Sequence, residues 1–336
     1  MPVVFTPMPI FNKPGPVRDL LESHGFTHEW AFTNVERKGR PTVEETQKVL
    51  KQRAAEIEYY LSNVTPLDRD FFEKAVNLKH VSMFGVGLDH IDIAAAIDNG
   101  VIVSNAPGSN SRCVSEMALC FMLDLAHRMN EMRADMENGV WRQLLGSEIS
   151  GKTLGLVGLG HIAQDLARLA KAFGMNIIAA NRSPRPEIAK ELGITQLPLD
   201  DVLSQADFIS LHIPGGASSW HFGANEFAKM KKGAFFINTA RGELMDIDAL
   251  AESVKSGHLA GAGLDVFPEE PMDFKHPIFS LPQVTVTPHA GGMSIEAMTR
   301  VVDTALSEFG RTLRGERALN ARNPEVYDSP NFRGKK

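Results

Sequence analysis

The segment between residues 153 and 180 constrains the fold of this chain most strongly. An apolar run at 153–157 leads directly into Gly158-Leu159-Gly160-His161-Ile162-Ala163, where a helical pattern begins, and a second apolar run follows that helix. In such a G-x-G-x-x-A turn the first glycine permits a tight bend, the second lets a phosphate approach the backbone, and the third small residue lets the helix pack on the strand. The pattern predicts a strand–turn–helix–strand unit.

A dinucleotide is the ligand that such a unit is expected to hold. The free N–H groups at the start of the helix and the positive end of its dipole attract phosphate oxygens. We therefore predict that Gly158, Gly160, His161 and Ile162 bind a dinucleotide. The alternative is a glycine-rich connection with no ligand.

The end of the second strand bears on which dinucleotide binds. In sites that prefer NAD, an Asp or Glu stands about twenty residues after the turn and binds the ribose 2′-hydroxyl. Asn181 occupies this place here, and Arg182, Ser183, Pro184 and Arg185 follow it. A carboxylate would repel a 2′-phosphate, whereas a guanidinium pairs with one. We predict that NADP is favoured over NAD, with Asn181, Arg182 and Ser183 at the cofactor. The alternative is that the two arginines are solvated loop residues and that NAD binds.

Strand patterns alternate with helical patterns along the whole chain. The predicted strands are 3–5, 57–62, 81–84, 101–103, 153–157, 175–182, 208–212, 235–239, 261–266 and 284–287. The predicted helices are 17–24, 42–54 with Thr42 and Glu45 as a capping box, 66–75, 115–128 with a continuation to 139, 161–174 and 294–313. This alternation predicts an α/β protein with parallel sheets.

The length of 336 residues suits roughly two domains. We expect two Rossmann-like or flavodoxin-like domains, with the nucleotide-binding domain (105–292) inserted into a substrate domain (1–104 and 293–336). Long helices near 104–120 and 288–300 would join them, and the C-terminal helix would return to the first domain.

Composition narrows the possible partners and the compartment. The formal charge of −6 makes nucleic acid or an anionic membrane an unfavourable partner. No apolar run reaches the ~20 residues needed to span a bilayer, and the uncharged, proline-broken start does not resemble a signal peptide. We expect a cytoplasmic protein. Cys113 and Cys120, seven residues apart in an apolar run, are expected to be reduced core residues on one helical face.

Polar residues follow three further predicted strands. These segments are NTARGE at 238–243, LDVFPEEP at 264–271 and TPHAGG at 287–292. Ligands of open parallel sheets bind outside the carboxyl ends of the strands. The three segments are therefore candidates for one shared site. No His, Cys or carboxylate cluster has the spacing of metal ligands, so no metal is expected.

Together these motifs resemble the D-isomer-specific 2-hydroxyacid dehydrogenases, in the branch that includes phosphoglycerate, hydroxypyruvate and glyoxylate dehydrogenases. The resemblance covers nearly the whole chain. It also includes FGVGLDHID at 84–92, NAPG at 105–108, Trp141, LHIP at 211–214 and LNARNP at 319–324. It implies hydride transfer between NAD(P)H and carbon 2 of a small 2-keto or D-2-hydroxy acid.

The resemblance also assigns the catalytic residues. Reduction of a 2-keto acid requires a group that holds the carboxylate, a proton donor for the ketone oxygen, and a nicotinamide held against carbon 2. Arg241 would bind the substrate carboxylate and carbonyl, because its planar fork suits bidentate contact. His289 would be the acid/base, since imidazole titrates nearest neutral pH. Glu270 would pair with His289, orient it and raise its pKa.

The other expected contacts follow from the same resemblance. Asp265 would hold the nicotinamide carboxamide, and the backbone amides of Val86 and Gly87 would bind the substrate carboxylate from the first domain. The remaining residues expected at the cofactor are His212, Ile213, Pro214, Thr239, Ala240, His289 and Gly291. A homodimer is implied, formed through the nucleotide-binding domain by the long helix after Cys113.

Three alternatives remain open. Formate dehydrogenases are similar but pair their histidine with a glutamine, and Glu270 argues against that chemistry. A nucleotide-sensing module like the corepressors of this family would keep the same residues without turnover. A phosphoglycerate dehydrogenase-like enzyme would need positive charge for the phosphate of its substrate. By the resemblance, Asn63 stands near where relatives often have a polar or basic residue facing the substrate, and it is uncharged. The preferred prediction is a glyoxylate or hydroxypyruvate reductase-like enzyme.

Overall fold

The computed structural model describes residues 1–12, 14–32, 41–216 and 220–334. The strands are β1 (Val3–Thr6), β2 (Thr27–Trp30), β3 (Tyr59–Ser62), β4 (His80–Met83), β5 (Ile102–Ser104), β6 (Thr153–Val157), β7 (Asn176–Ala180), β8 (Thr195–Gln196), β9 (Phe208–Leu211), β10 (Phe235–Asn238), β11 (Gly261–Leu264) and β12 (Val284–Val286). The helices are α1 (Pro16–Ser23), α2 (Val43–Arg53), α3 (Arg69–Lys74), α4 (Ile93–Asp98), α5 (Ser111–His127), α6 (Met129–Glu137), α7 (His161–Ala172), α8 (Pro186–Leu192), α9 (Leu199–Gln205), α10 (Ala224–Lys229), α11 (Ile247–Lys255) and α12 (Ile295–Leu313).

The chain forms two compact units. The first unit comprises Met1–Asn110 and Ser294–Lys336, and the second comprises Ser111–Met293. The second unit is thus inserted between the two segments of the first. Helix α5 belongs to the second unit and helix α12 to the first. The predicted class, two α/β domains with parallel sheets, is confirmed.

The first unit is built on a five-stranded parallel sheet in the order β2-β1-β3-β4-β5. This is the flavodoxin-like order, which reverses direction at β1. Strands β3 and β4 are buried at every position, as expected for parallel strands covered on both faces. One face packs against Val302, Leu306 and Phe309 of α12.

The second unit is built on a seven-stranded parallel sheet in the order β12-β11-β10-β9-β6-β7-β8. The direction reverses at β6, whose neighbours are β7 and β9. Such a reversal leaves a crevice at the carboxyl ends of the central strands, where ligands of this architecture bind. The glycine turn that follows β6 therefore opens at the topological switch point.

Most predicted elements are confirmed within a few residues. The Thr42 side chain accepts a hydrogen bond from the Glu45 N–H, and the Glu45 carboxylate accepts one from the Thr42 N–H, so the predicted capping box is present. The predicted continuous helix from 115 to 139 is wrong. It breaks into α5 and α6 at Arg128, whose φ of 56° is left-handed and whose guanidinium is bound by Glu131.

The expected burial of the cysteines is wrong for Cys120. Cys120 is exposed and Cys113 is half-buried, and both thiols are free. The core face of α5 is formed instead by residues such as Val114, Ala118 and Phe121. A spacing of seven places two residues on one helical face but does not say which face is buried. Among the described residues, every helix is too short or too polar to traverse a bilayer.

Candidate active site

The glycine turn after β6 has two glycines with different surroundings. Gly158 has a φ of +96°, and a Cβ there would lie 2.5 Å from the His212 carbonyl oxygen, so the turn itself requires glycine. A Cβ on Gly160 would meet no protein atom within 4 Å. Helix α7 begins at His161 with no side-chain cap, so the first N–H groups of His161 and Ile162 lack intrahelical acceptors. Open space beside Gly160 therefore lies next to backbone N–H groups that have no acceptor within the helix.

Polar atoms without partners lie at the carboxyl ends of the neighbouring strands. Thr239 Oγ1, after β10, and His212 Nδ1, after β9, are buried and have no hydrogen-bond partner among the described residues. His212 Nε2 contacts Ser210 Oγ at 2.9 Å, and burial lowers the pKa of His212 to about 3, so the ring is neutral. Buried polar atoms are normally satisfied, so these two indicate room for a polar ligand. Together with the open turn at Gly160, they fit a dinucleotide.

The loop after β7 is tied to the glycine turn. Asn181 Oδ1 accepts a hydrogen bond from the Leu159 N–H at 3.1 Å, and Asn181 Nδ2 donates to the Ser183 carbonyl. Ile213, which precedes Pro214, lies against Gly158 from the other side. Arg182 and Ser183 are exposed, as is Arg185. The residues predicted to bind a 2′-phosphate therefore lie next to the glycine turn, and position 181 there is an asparagine and not a carboxylate.

Asp265, after β11, anchors the loop that carries His289. The Asp265 side chain is buried, and its carboxylate accepts hydrogen bonds from Thr287 Oγ1 (2.6 Å) and from the Ala290 and Gly291 N–H groups (2.7 and 2.8 Å). Its carbonyl accepts the His289 N–H at 2.8 Å. A carboxylate offers about four acceptor sites, so three are used within the loop. This clamp holds His289 at its left-handed φ of 52°.

His289 and Glu270 form a hydrogen-bonded pair. His289 Nδ1 lies 2.7 Å from Glu270 Oε2, and Glu270 Oε1 accepts the Phe267 N–H at 3.0 Å. The hydrogen bond to Glu270 raises the pKa of His289 against the opposing effect of burial. Burial would raise the pKa of Glu270, but the hydrogen bonds from His289 and Phe267 outweigh it, and the pKa is lowered. The His289 side chain is 45% exposed, so its far nitrogen can meet a substrate.

Arg241 follows β10 in a turn shaped by a buried side chain. Asn238 Oδ1 accepts the Ala240 N–H at 3.0 Å, and Asn238 Nδ2 donates to the Arg241 carbonyl at 2.9 Å. Arg241 donates to the Ala240 carbonyl at 2.7 Å. The positive charge of Arg241 makes the smallest contribution to the pKa of Glu270, in the lowering direction, and slightly opposes the rise in the pKa of His289.

Sequence reasoning gave no role to three residues that support this site. Asn238 shapes the Arg241 turn, and Thr287 completes the Asp265 clamp. A Cβ on Gly242 would lie 1.9 Å from the Phe267 carbonyl carbon, so glycine lets the Arg241 turn pack against the loop that leads to Glu270. Their position inside the three polar segments was the available signal.

The remaining predicted site residues lie in the first unit. Val86 and Gly87 belong to the loop that follows β4, at the carboxyl edge of the five-stranded sheet. The second unit thus brings together Arg241, Glu270 and His289, while the two backbone amides belong to the first unit.

Known proteins are similar to this chain over most of its length. Residues 119–291 match the model of the D-isomer specific 2-hydroxyacid dehydrogenase NAD binding domain. A glyoxylate reductase of Korarchaeum cryptofilum is 35% identical over 84% of this chain and 87% of its own. The D-3-phosphoglycerate dehydrogenase of Methanocaldococcus jannaschii is 40% identical over 77% of this chain, which spans only half of that relative.

A solved structure supports the same assignment. The crystal structure of a glyoxylate reductase from Paecilomyes thermophila superposes with a TM-score of 0.80 at 27% identity, covering 96% of this chain and 98% of that one. The resemblance inferred from the motifs is therefore confirmed. The chain belongs to the D-isomer specific 2-hydroxyacid dehydrogenase family and is an oxidoreductase that moves a hydride between a nicotinamide cofactor and a 2-keto or 2-hydroxy acid.

Proposed function

We propose that this enzyme reduces a small, unphosphorylated 2-keto acid of the glyoxylate or hydroxypyruvate type and prefers NADPH to NADH. The observation that carries the proposal is the 2.7 Å contact between His289 and Glu270, in the unit that also carries Arg241 on the loop after β10. A carboxylate-paired imidazole and a guanidinium are the groups that a 2-keto acid requires for protonation and binding. Two relatives that are glyoxylate reductases, 35% and 36% identical to this chain, support the substrate class.

Each of the three side chains has one role in the reaction. Arg241 binds the substrate carboxylate and polarises the carbonyl. His289, protonated, donates a proton to the carbonyl oxygen, and Glu270 holds the ring orientation and stabilises the imidazolium. The reduced nicotinamide, when bound, supplies the hydride that carbon 2 receives. The products are the 2-hydroxy acid, the oxidised nicotinamide and a neutral His289, which takes a proton from solvent.

The cofactor would be held by the second unit. Gly158, Gly160 and the start of α7 at His161 and Ile162 would receive the pyrophosphate. The other contacts proposed are those of His212, Ile213, Pro214, Thr239, Ala240, Asp265, His289 and Gly291. Asp265 has one acceptor position beyond its three loop contacts, and that position suits a carboxamide.

The NADP preference rests on the loop after β7. Asn181 presents no charge that would repel a 2′-phosphate, and Arg182 and Ser183 are exposed beside it. Residues 1–104 and 293–336 would form the substrate domain, and the amides of Val86 and Gly87 would bind the carboxylate. Residues 105–292 would form the nucleotide-binding domain.

We further propose a homodimer formed through the second unit by α5 and the segment that follows α6. In that segment Trp141 and Leu145 are 85% and 92% exposed. Large apolar side chains so fully exposed are typical of surfaces that a partner covers. A cytoplasmic location stays a prediction.

Initial rates test the proposal. NADPH and NADH are each compared with glyoxylate, hydroxypyruvate, pyruvate and longer 2-keto acids. Reduction of the short acids with a clear NADPH preference is the expected result, and Arg182→Ala should narrow that preference with the NADH rate unchanged. Turnover that prefers NADH would remove the cofactor assignment and keep the substrate class. Bound nucleotide without turnover would favour a nucleotide-sensing module.

A phosphorylated 2-keto acid is the second candidate substrate, favoured by the 40% identity to D-3-phosphoglycerate dehydrogenase. Including 3-phosphohydroxypyruvate in the same panel decides between them. A kcat/KM for this compound above that for hydroxypyruvate would contradict our proposal.

A further inference from the structure

The loop after β4 is anchored through its carbonyl groups. The Gly85 carbonyl accepts a hydrogen bond from the Ala106 N–H at 2.9 Å, and the Val86 carbonyl accepts one from Asn105 Nδ2 at 2.6 Å. A trans peptide is planar, so its C=O and the following N–H point in opposite directions. The N–H groups of Val86 and Gly87 therefore point away from residues 105 and 106. Neither has an acceptor among the described residues.

Two adjacent N–H groups that point the same way suit a carboxylate. Backbone donors of this kind form anion-binding concavities elsewhere in proteins. The Val86 N–H shares a peptide with the Gly85 carbonyl, so the Ala106 backbone fixes its direction. The Gly87 N–H shares a peptide with the Val86 carbonyl, so its direction depends on the Asn105 amide: a flipped amide would turn its oxygen toward that carbonyl and lose the bond.

Arg322 determines which way the Asn105 amide faces. Asn105 is 3% exposed, and its Oδ1 accepts a hydrogen bond from Arg322 Nε at 2.7 Å. A guanidinium only donates, so the amide oxygen must face Arg322. The amide NH₂ must then face the Val86 carbonyl. Arg322 thus affects the loop after β4 indirectly, because it orients the buried Asn105 amide that binds the Val86 carbonyl.

The backbone of residue 322 is held in place along β5. The Arg322 N–H donates to the Val103 carbonyl at 2.8 Å. The neighbouring Asn323 is fully buried, accepts the Val103 N–H and donates to the Val101 carbonyl, each at 2.8 Å. Arg322 is therefore presented to Asn105 from a fixed position.

The residues just before this segment are held as well. Glu308 of α12 is buried, and its carboxylate accepts hydrogen bonds from the Leu319 N–H at 2.8 Å and from Asn320 Nδ2 at 2.7 Å. A carboxylate satisfied by backbone and amide donors fixes their geometry strongly. Hydrogen bonds from Glu308 and along β5 thus hold the LNARNP motif at 319–324, and its Arg322 side chain contacts Asn105.

We infer that Arg322 and Asn105 are positioning residues that aim the Gly87 N–H, beside the Val86 N–H, at the carboxylate of the substrate. The inference rests on the proposed function, because it assumes that a carboxylate binds these amides. It gives the NAPG and LNARNP motifs a role in substrate affinity.

Two variants and one matched control test the inference. Arg322→Met removes the donor that orients the amide. Asn105→Asp keeps the contact with Arg322 but leaves no donor for the Val86 carbonyl. Arg317→Met is the control, because Arg317 stacks on Tyr327 in the same C-terminal segment and makes no contact with Asn105.

The readouts separate positioning from general damage. We expect the KM for glyoxylate to rise roughly ten- to hundred-fold in both variants. This factor corresponds to the loss of about one charge-assisted hydrogen bond. The dissociation constant of oxalate, measured by calorimetry on cofactor-loaded protein, should rise by the same factor. The kcat, the cofactor KM and the melting temperature should stay near wild type, and Arg317→Met should match wild type throughout.

Two results would overturn the inference. One is an unchanged KM and oxalate affinity in both folded variants. The other is a joint loss of kcat, cofactor affinity and thermal stability, which would indicate a merely structural role. A wild-type protein that binds oxalate but reduces no 2-keto acid would count against the proposed function alone, and the oxalate series would still decide the inference.

Discussion

The carboxyl edges of the two parallel sheets offer different chemical groups. At the seven-stranded sheet the groups are side chains, with Arg241, Glu270 and His289 on successive loops. At the five-stranded sheet they are the backbone amides of Val86 and Gly87. Proton transfer needs a group that titrates near neutral pH, which only a side chain provides, whereas a fixed amide suffices to bind an anion.

Two histidines sharpen this contrast. His80 in the first unit is fully buried, with Nδ1 2.8 Å from Thr312 Oγ1 and Nε2 2.8 Å from Ser104 Oγ, and burial lowers its pKa to about 3. The pKa of His289 is raised by its carboxylate partner, and one side of its ring reaches solvent. A carboxylate and access to water, rather than the residue type, make a histidine able to donate a proton.

The largest expected effect comes from replacing these two histidines in turn. His289→Gln should lower kcat by about 10²–10⁴-fold, because the proton donor is lost. His80→Gln should lower the melting temperature and leave the kcat per folded molecule near wild type. Steady-state kinetics and thermal melts measure both. A normal kcat in His289→Gln would remove it as the acid/base.

Arg241→Met should lower kcat/KM for the 2-keto acid by about 10²–10³-fold, because charge-assisted hydrogen bonds to the substrate are lost. Cofactor affinity should hardly change. Arg241→Lys should recover little, since a point charge cannot replace the planar fork. Full activity of the lysine variant would show that only charge matters at this position.

The two glycines of the turn separate folding from cofactor binding. Gly160→Ala should weaken cofactor binding by about tenfold or more, because the added methyl would occupy the space of a phosphate, and should not lower stability. Gly158→Ala should destabilise the protein by about 1–3 kcal/mol, since its φ is positive and its Cβ would meet the His212 carbonyl. Fluorescence titration with cofactor and denaturant unfolding measure the two effects. Equal cofactor affinity in Gly160→Ala and wild type would argue against this phosphate site.

The smallest effect is a displaced pH profile. Reduction requires protonated His289, so the rate should fall as pH rises through its raised pKa. Glu270→Gln removes the carboxylate that raises this pKa, so the fall should come at lower pH. Rates at low pH should differ less between the two enzymes than rates at high pH. A profile that does not move would contradict the role of Glu270 in setting the pKa.

The sequence-based predictions were accurate where a short motif specifies the local backbone. The capping box at Thr42 and the glycine turn at Gly158 were predictable because each depends on residues a few positions apart. The break at Arg128 was not predictable, although its partner Glu131 is only three residues away, because helical periodicity does not reveal a left-handed backbone conformation at a single residue. Exposed Cys120 was misplaced because spacing does not identify the buried face.

The sequence by itself determined the α/β class, the dinucleotide turn and the residue types that could carry the chemistry, because local patterns of period two and 3.6 and short motifs encode them. Only the tertiary structure decided that Asp265 clamps the His289 loop and that Arg322 reaches Asn105, 217 residues away along the chain. Contacts of this kind depend on the order of strands within a sheet and on where the C-terminal segment returns. No local pattern records either, because the same strands and helices can be joined in several orders.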